Sequence, residues 1–280
     1  MSERTLRSAL MVIRYTALSL IALILLLPIY WLLMSSLRPG GDIFRHTADF
    51  SIETLFPRTV TLDNYRTVLS GDFPRAIFNS LFVSVTTVTL GLLVNSLAGF
   101  SFAVFEFPFK KPLFLLVLLS FMMPFESIVI PLYTLMRSLG WTNTYAALIV
   151  PDVASGLVIS LFRQFFAAIP KEIYEAARVD GASWWQIYWR MTMPVSGATV
   201  ATASLMMFIH QWDAFFWPLV VASTPDLVVV QVAIARNMTT EQSNWGALFA
   251  SASTAILVAL VPFLFLQRYY IRVVALGSDR

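Results

Sequence analysis

The sequence contains no cysteine, which removes disulfides, thiolate metal sites and a cysteine nucleophile from consideration and leaves the redox compartment open. Charge is also scarce. Only 12% of the 280 residues are Asp, Glu, Lys or Arg and 58% are hydrophobic, whereas an ordinary soluble domain carries about 25% charged residues. Too few charges remain to clothe an interior of that size, so a water-soluble globule is excluded and lipid must solvate much of the surface. Histidine occurs twice, His46 in a polar loop and His210 in an apolar run; neither has a second His or Cys at ligand spacing, so no metal site is expected. A G-x-x-x-x-G-K-[ST] phosphate loop is missing as well, so nothing here cradles ATP and no cofactor is expected on this chain.

What is present is apolar and continuous, with a mean hydropathy of +0.74. Runs near the ~20 residues that cross ~30 Å of hydrocarbon extend over Tyr15 to Leu37, Ile77 to Phe105, Leu113 to Leu135, Tyr145 to Ala168, Ala198 to Val221 and Ala247 to Tyr269. They predict an all-α, polytopic membrane protein with six transmembrane helices. A barrel would need short segments of alternating hydrophobicity, which are absent. The first run follows Arg4, Arg7 and Arg14, but it is longer than a signal-peptide core and has no clear small-x-small cleavage site, so it is expected to stay as a helix.

The net charge of +3 comes with no basic run or interleaved aromatic patch, so it does not point to nucleic acid. It reads as topology instead. With the N-terminus inside, Arg4, Arg7, Lys110, Lys111, Lys171, Arg178, Arg190, Arg268 and Arg272 are cytoplasmic, and the short outer loops keep only Arg137 and Arg236. The longer connection from Arg38 to Ala76 carries five arginines together with Asp42, Asp49, Glu53, Asp63 and Asp72, and long loops obey the rule less strictly. Both termini are then cytoplasmic: an N-terminal segment 1–14, a membrane domain 15–270, and a tail 271–280.

Between the fourth and fifth runs lies a polar stretch, 169–197, that reads as helix, turn, helix. Pro170 opens the first short helix, Glu172 and Glu175 suit its N-terminal dipole, and Gly181 is the residue type that accepts a left-handed C′ position. Ser183 with Gln186 fits a capping box, so a second helix should start at once and run toward Pro194. Ile173, Tyr174, Trp184, Trp185, Ile187, Tyr188 and Trp189 crowd this water-facing hairpin beside Glu175, Arg178 and Asp180. Two readings fit: a helix presented to the groove of a protein partner, or an amphipathic hairpin lying on lipid headgroups.

The run from Glu175 to Pro194 resembles the EAA loop of ABC importer permeases, whose pattern is Glu-Ala-Ala, three residues, Gly, nine residues, an aliphatic, one residue, Leu-Pro. Glu175, Ala176, Ala177, Gly181 and Pro194 fall at matching positions, while Met191 and Met193 replace the aliphatic and the leucine. Further phrases are similar to the carbohydrate branch of that family, the maltose-type second permease subunit: Asp63-Asn64-Tyr65, Asn79-Ser80-Leu81, Phe107-Pro108-Phe109-Lys110, Met123-Pro124, Ile130-Pro131-Leu132-Tyr133, Phe162-Arg163-Gln164-Phe165-Phe166, Asp180-Gly181-Ala182-Ser183 and Trp217-Pro218-Leu219. Two departures stand out. The family's Trp-Asn-Asp-Phe appears as Trp212-Asp213-Ala214-Phe215, and its Gly-x-Val-Lys-Gly tail after Gln267-Arg268 is missing.

The resemblance implies a permease subunit of an ATP-driven importer in a bacterial or archaeal cell membrane, itself not an enzyme. It implies as partners a second homologous permease subunit, an ATPase dimer and an extracytoplasmic substrate-binding protein. Glu175, Ala176, Ala177, Asp180, Gly181 and Pro194 would form the ATPase-coupling loop, with Glu175 pairing to a basic residue of the ATPase. The outer loops Arg38 to Ala76 and Ser223 to Trp245 are where a binding protein could dock, although Thr239, Thr240, Glu241, Gln242, Ser243 and Asn244 are equally what an exposed turn contains.

Polar residues inside spans are costly and normally face a cavity, a partner or the boundary. His210, Gln211, Trp212 and Asp213 lie in the fifth run, and Glu126 and Asp152 in or near the third and fourth. Read functionally, Gln211, Trp212, Asp213, Phe216 and Glu126 are candidate pathway residues, aromatics meeting sugar CH groups and polar groups meeting hydroxyls. Read structurally, they are an interfacial belt and interhelical hydrogen bonds. A sugar is the leading small-molecule substrate in transit and a glycerol-phosphate type ester the alternative. A secondary transporter and an intramembrane enzyme are the rivals; the first would leave the hairpin without a purpose, and the second lacks a convergent catalytic constellation.

Overall fold

The computed structural model describes residues 3–45, 52–238 and 244–277, and every regular element among them is helical. His46 and the polar run Thr239 to Ser243 lie outside the described residues. In chain order the α-helices are α1 (Glu3–Ser36), α2 (Ile52–Leu55), α3 (Asp63–Ser70), α4 (Phe73–Val104), α5 (Lys110–Met122) and α6 (Phe125–Ser138). Then follow α7 (Tyr145–Val153), α8 (Gly156–Ala167), α9 (Lys171–Val179), α10 (Trp184–Gln186), α11 (Met193–Val195) and α12 (Gly197–Trp212), and finally α13 (Phe216–Val221), α14 (Val230–Arg236) and α15 (Trp245–Gly277). Four stretches are long and apolar enough to cross a membrane unaided: Leu10–Ser36, Phe73–Val104, Tyr145–Ala167 and Trp245–Phe265. Two bent pairs would each supply one more.

The bends correct the sequence reading of two uninterrupted spans. The third run is α5 and α6, meeting at 101° across Met123-Pro124. Pro124 has no N–H to continue α5, and it drives Met123 into extended backbone, φ −72° and ψ 127°. The fifth run stops at Trp212 and restarts at Phe216. Pro218 explains the gap, because a continuous helix would push its ring into the carbonyl of Ala214 four residues earlier. Below it, the segments Trp184–Val195 and Gly197–Trp212 meet at 80°.

The chain divides into two compact units, Met1–Pro74 with Ile234–Ile256 and Arg75–Ala233 with Leu257–Arg280. In the first, Asn64 Nδ2 donates to the carbonyls of Ser36 (2.9 Å) and Arg38 (2.7 Å), satisfying acceptors that α1 leaves open at its end. Arg38, 3% exposed, donates to the carbonyls of Glu53 and Thr54 at the end of α2. Edge-to-face pairs Trp31–Phe249 and Phe44–Trp245 complete the packing.

The second unit holds two apolar clusters. One gathers Val83, Leu148, Trp217, Val221 and Val229, closed by polar pins: Asn79 Nδ2 donates to the carbonyls of Asp226 (2.8 Å) and Val228 (2.9 Å), Tyr145 donates to Asn79 Oδ1 (2.7 Å), and Trp217 Nε1 donates to the Ala147 carbonyl (2.8 Å). The other gathers Phe100, Phe162, Phe166, Tyr174, Ile187 and Tyr188. Here α4 crosses α8 closely at Gly99, where an added Cβ would stand 2.6 Å from Phe162 Cβ and 2.9 Å from the Arg163 backbone nitrogen. Small residues at such a crossing let two helices pack without help from a hydrophobic driving force.

Candidate functional site

The hairpin forms largely as its residues dictate. Helix α9 ends in a Schellman closure: the Gly181 N–H donates to the Arg178 carbonyl (3.1 Å) and the Ala182 N–H to the Ala177 carbonyl (3.0 Å), with Gly181 at φ +81°. The capping box is complete, Gln186 N–H donating to Ser183 Oγ (3.2 Å) and Ser183 N–H to Gln186 Oε1 (2.7 Å). Arg178 braces the turn, donating to the Ala182 carbonyl at 2.6 Å with its guanidinium 5.1 Å from the Trp184 ring.

Beyond α10 the helix widens, because residues Ile187–Thr192 are π-helical and the Met193 N–H donates to the Tyr188 carbonyl. The sequence predicted an ordinary helix here. Pro194 accounts for the difference: it cannot donate to Arg190 and its ring crowds that carbonyl, and a wider turn relieves both problems.

Burial sorts the crowded aromatics into two classes. Tyr174, Ile187 and Tyr188 are 5%, 1% and 1% exposed, so they are core residues of the second cluster and not water-facing as the sequence reading had them. Tyr174 donates to the Phe166 carbonyl at the end of α8 (3.2 Å), and burial pushes its phenol pKa up, keeping the proton in place. Tyr188 pairs with Ser96 Oγ on α4 at 2.7 Å. Ile173, Val179, Trp184, Trp185 and Trp189 remain exposed. On α9 the outward positions Glu172, Glu175, Ala176 and Val179 fall at helical spacing, opposite Tyr174 and the half-buried Ala177. The other loop residues singled out by sequence, Asp180 and Pro194, are exposed too, Asp180 as the C-cap of α9. A short, internally capped helix is therefore bolted to the core by one face and presents a mixed acidic and apolar strip with the other.

The candidate pathway residues are less uniform. Gln211 is 5% exposed and its Nε2 donates to the Leu148 carbonyl at 3.4 Å. Trp212, also 5% exposed, stacks on Phe208 with centroids 5.7 Å apart and is spent on packing within α12. Asp213 caps α12 and accepts from Gln231 Nε2 at 3.4 Å. Phe216, 47% exposed, meets Phe125 edge to face, and Glu126 is exposed in the first turn of α6 directly after the Pro124 bend. Gln211, Asp213 and Phe216 thus cluster at the break of the fifth run, with Phe125 bringing in the break of the third.

Residues 88–274 match the family described as binding-protein-dependent transport system inner membrane component. The chain belongs to that family. It is 33% identical over 261 residues to the arabinooligosaccharides transport system permease protein of Halalkalibacterium halodurans, covering 92% of each. It is 30% identical over 262 residues to the lactose transport system permease protein of Rhizobium radiobacter, covering 93% of each. It is 28% identical over 271 residues to the sn-glycerol-3-phosphate transport system permease protein of Agrobacterium fabrum, covering 93% of this chain and 94% of that one. A crystal structure of a bacterial ABC transporter involved in the import of the acidic polysaccharide alginate shares the fold at a TM-score of 0.82 and 20% identity, over 96% of this chain and 99% of that one. As an inner membrane component of this family, the chain is a multi-pass membrane protein and a permease subunit, a class that transports and does not itself catalyse.

Several phrases that mark the family in the sequence prove to be structural. Asn64 closes α1, Asn79 pins the segment before α14, and Phe162 and Phe166 fill the second cluster. Thr87, Ser120 and Ser155, which line a cavity together with Asp152, His210 and Gln211, carry no signal in the sequence, because serines and threonines in an apolar helix read as ordinary small residues.

Proposed function

We propose that this permease is one half of the membrane pathway of an ATP-driven sugar importer, coupled through α9 and the turn that follows it to an ATPase on a separate chain. The observation that carries the reading is the exposed strip Glu172, Glu175, Ala176 and Val179 on a helix whose opposite face is anchored by Tyr174. Such a helix transmits a push, because displacing it must drag α8 through the Tyr174–Phe166 hydrogen bond and α4 through the edge-to-face contact of Tyr174 with Phe100. Glu175 pairs with a basic residue in the ATPase cleft, Val179 seats in the apolar floor, and closure of the ATPase dimer rocks the attached helices.

On this reading the bent pair α5 and α6 counts as one span and the run Ala198 to Val221, broken after Trp212, as another, giving six within 15–270, with segments 1–14 and 271–280 and the loop 169–197 on the cytoplasmic face of a bacterial or archaeal membrane. A homologous second permease closes the pathway, and an extracytoplasmic binding protein delivers the solute. Gln211, Asp213, Phe216 and Glu126 line the route, while Trp212 packs on Phe208. The names of the arabinooligosaccharides and lactose relatives favour a sugar; the sn-glycerol-3-phosphate relative supports a glycerol-phosphate type ester as second reading. The test is binding-protein-stimulated ATP hydrolysis by the reconstituted complex, comparing native chain with Glu175→Ala and Gly181→Asp. Assembled variants that lose stimulation support the lever; unchanged stimulation in both removes the lever alone, whereas a native complex that shows no stimulation brings a secondary transporter forward.

A further inference from the structure

The second unit holds a cavity of about 410 Å3 where two helix breaks face one another. Met123 from the break between α5 and α6 and Ala154 and Ser155 from the break between α7 and α8 form part of its wall, with Thr87 of α4 and His210 and Gln211 of α12 opposite. Its size falls within the roughly 300–1,000 Å3 of small-molecule sites. Interrupted helices at membrane depth are tolerated only where protein buries the freed backbone or where it lines a water-filled space.

Two atoms on this wall point to a ligand. Thr87 Oγ1 and Gln211 Oε1 are buried, on residues 1% and 5% exposed, and have no hydrogen-bond partner among the described residues. Buried polar groups are nearly always paired, so both acceptors call for a donor that enters the cavity. Beside them, Asp152 Oδ1 stands 3.6 Å from His210 Nε2, with the His210 side chain 73% exposed. An ionisable pair left open on spanning helices faces water or protein, not lipid. No Lys or Arg is among the lining residues, and the fixed anion is Asp152.

We propose that this cavity is a transit subsite for a neutral polyhydroxyl solute. Gln211 Oε1, Thr87 Oγ1 and the Asp152 carboxylate accept from hydroxyls, Ser120 and Thr87 can also give or receive, and Phe121, Met123 and Phe125 meet the CH faces. A phosphate monoester would find the Asp152 carboxylate, the His210 imidazole that this carboxylate already engages, and no guanidinium or ammonium to clamp it. The inference rests on the importer reading and narrows it, favouring the sugar over the glycerol-phosphate ester.

Because the native chain has no cysteine, Ala154→Cys and Ser120→Cys each place one thiol on the wall, at exposed positions of the α7–α8 break and of α5. The complex with its partner permease and ATPase, held in nanodiscs, is treated with a small cationic methanethiosulfonate, and the mass of this chain is followed with time. The additions are arabinose, lactose, arabinotriose or sn-glycerol-3-phosphate. The expected result is reactive thiols at both positions and labelling slowed roughly tenfold by at least one neutral saccharide when its concentration is about ten times its Kd, with sn-glycerol-3-phosphate without effect. Thiols that never react, that react equally under every addition, or that sn-glycerol-3-phosphate alone protects would overturn it. ATP hydrolysis measured on the same samples separates the two ideas: hydrolysis that binding protein stimulates, with no protection, removes the subsite alone, whereas saccharide protection without stimulated hydrolysis keeps the subsite and removes the importer.

Discussion

Gly181 allows a separation that few hinge glycines permit. An added Cβ there would meet nothing within 4 Å, yet the backbone sits at φ +81°. Substitution therefore costs conformational strain with no steric clash, of order 1–2 kcal/mol for an ordinary L residue and less for Asn, which tolerates the left-handed region. Against a stability of about 5–15 kcal/mol such a cost does not unfold the protein, but it lowers the population of the closed hairpin about 5- to 30-fold. The predicted series for binding-protein-stimulated ATP hydrolysis is then Gly above Asn above Ala, with Val no worse than Ala by more than its modest helix-end penalty. Thermal unfolding of the purified complexes should move by only a few degrees across the series. If Asn and Ala lose stimulation equally, or if Val is far worse than Ala, side-chain bulk against a partner governs the position and the strain argument fails.

Other positions give independent checks. Tyr174→Phe should lower stability by about 1 kcal/mol through loss of the bond to the Phe166 carbonyl, and a melting curve indistinguishable from native would show that the contact does not anchor α9. Asn79→Leu keeps the volume but leaves the carbonyls of Asp226 and Val228 without their donor, a loss of about 2–3 kcal/mol; rapid proteolysis around residue 226 reports it. Gly99→Val drives a side chain into Phe162 and the Arg163 backbone and should cost about 1–3 kcal/mol through separation of α4 from α8, read as reduced yield of folded complex, while Gly71→Ala, where the nearest atoms are 3.7 Å away, is the tolerated control.

The hairpin was legible because its determinants are local. A left-handed glycine, a Ser-x-x-Gln cap and an opening proline each act within one turn, and each appears where the residues place it. Which aromatics it exposes was not legible, since Tyr174 and Tyr188 are chosen for burial by Phe100 on α4, far away in sequence. Met191 and Met193, the two departures from the family's loop pattern, pack against that same cluster. A flexible thioether fills the space an aliphatic would.

The helix breaks escaped hydropathy for a different reason. A window average cannot separate a straight span from one folded at 101°, because both are equally apolar. Pro124 and Pro218 were visible, but so were Pro28, Pro131 and Pro262, which lie inside helices that continue. What distinguishes them is what can absorb the backbone groups that a break releases. At Ser155, which follows the break after Val153, the N–H donates to Asn95 Oδ1 (2.8 Å), and Asn95 Nδ2 donates back to the Val153 carbonyl (2.8 Å). One buried asparagine on α4 thus pairs with both edges of that gap. Asn95→Leu should therefore close or distort the break between α7 and α8 and, with it, the cavity wall at Ser155. Expected is an assembled complex with altered solute specificity; a variant with native transport of the same solutes would mean that the break holds its shape without Asn95.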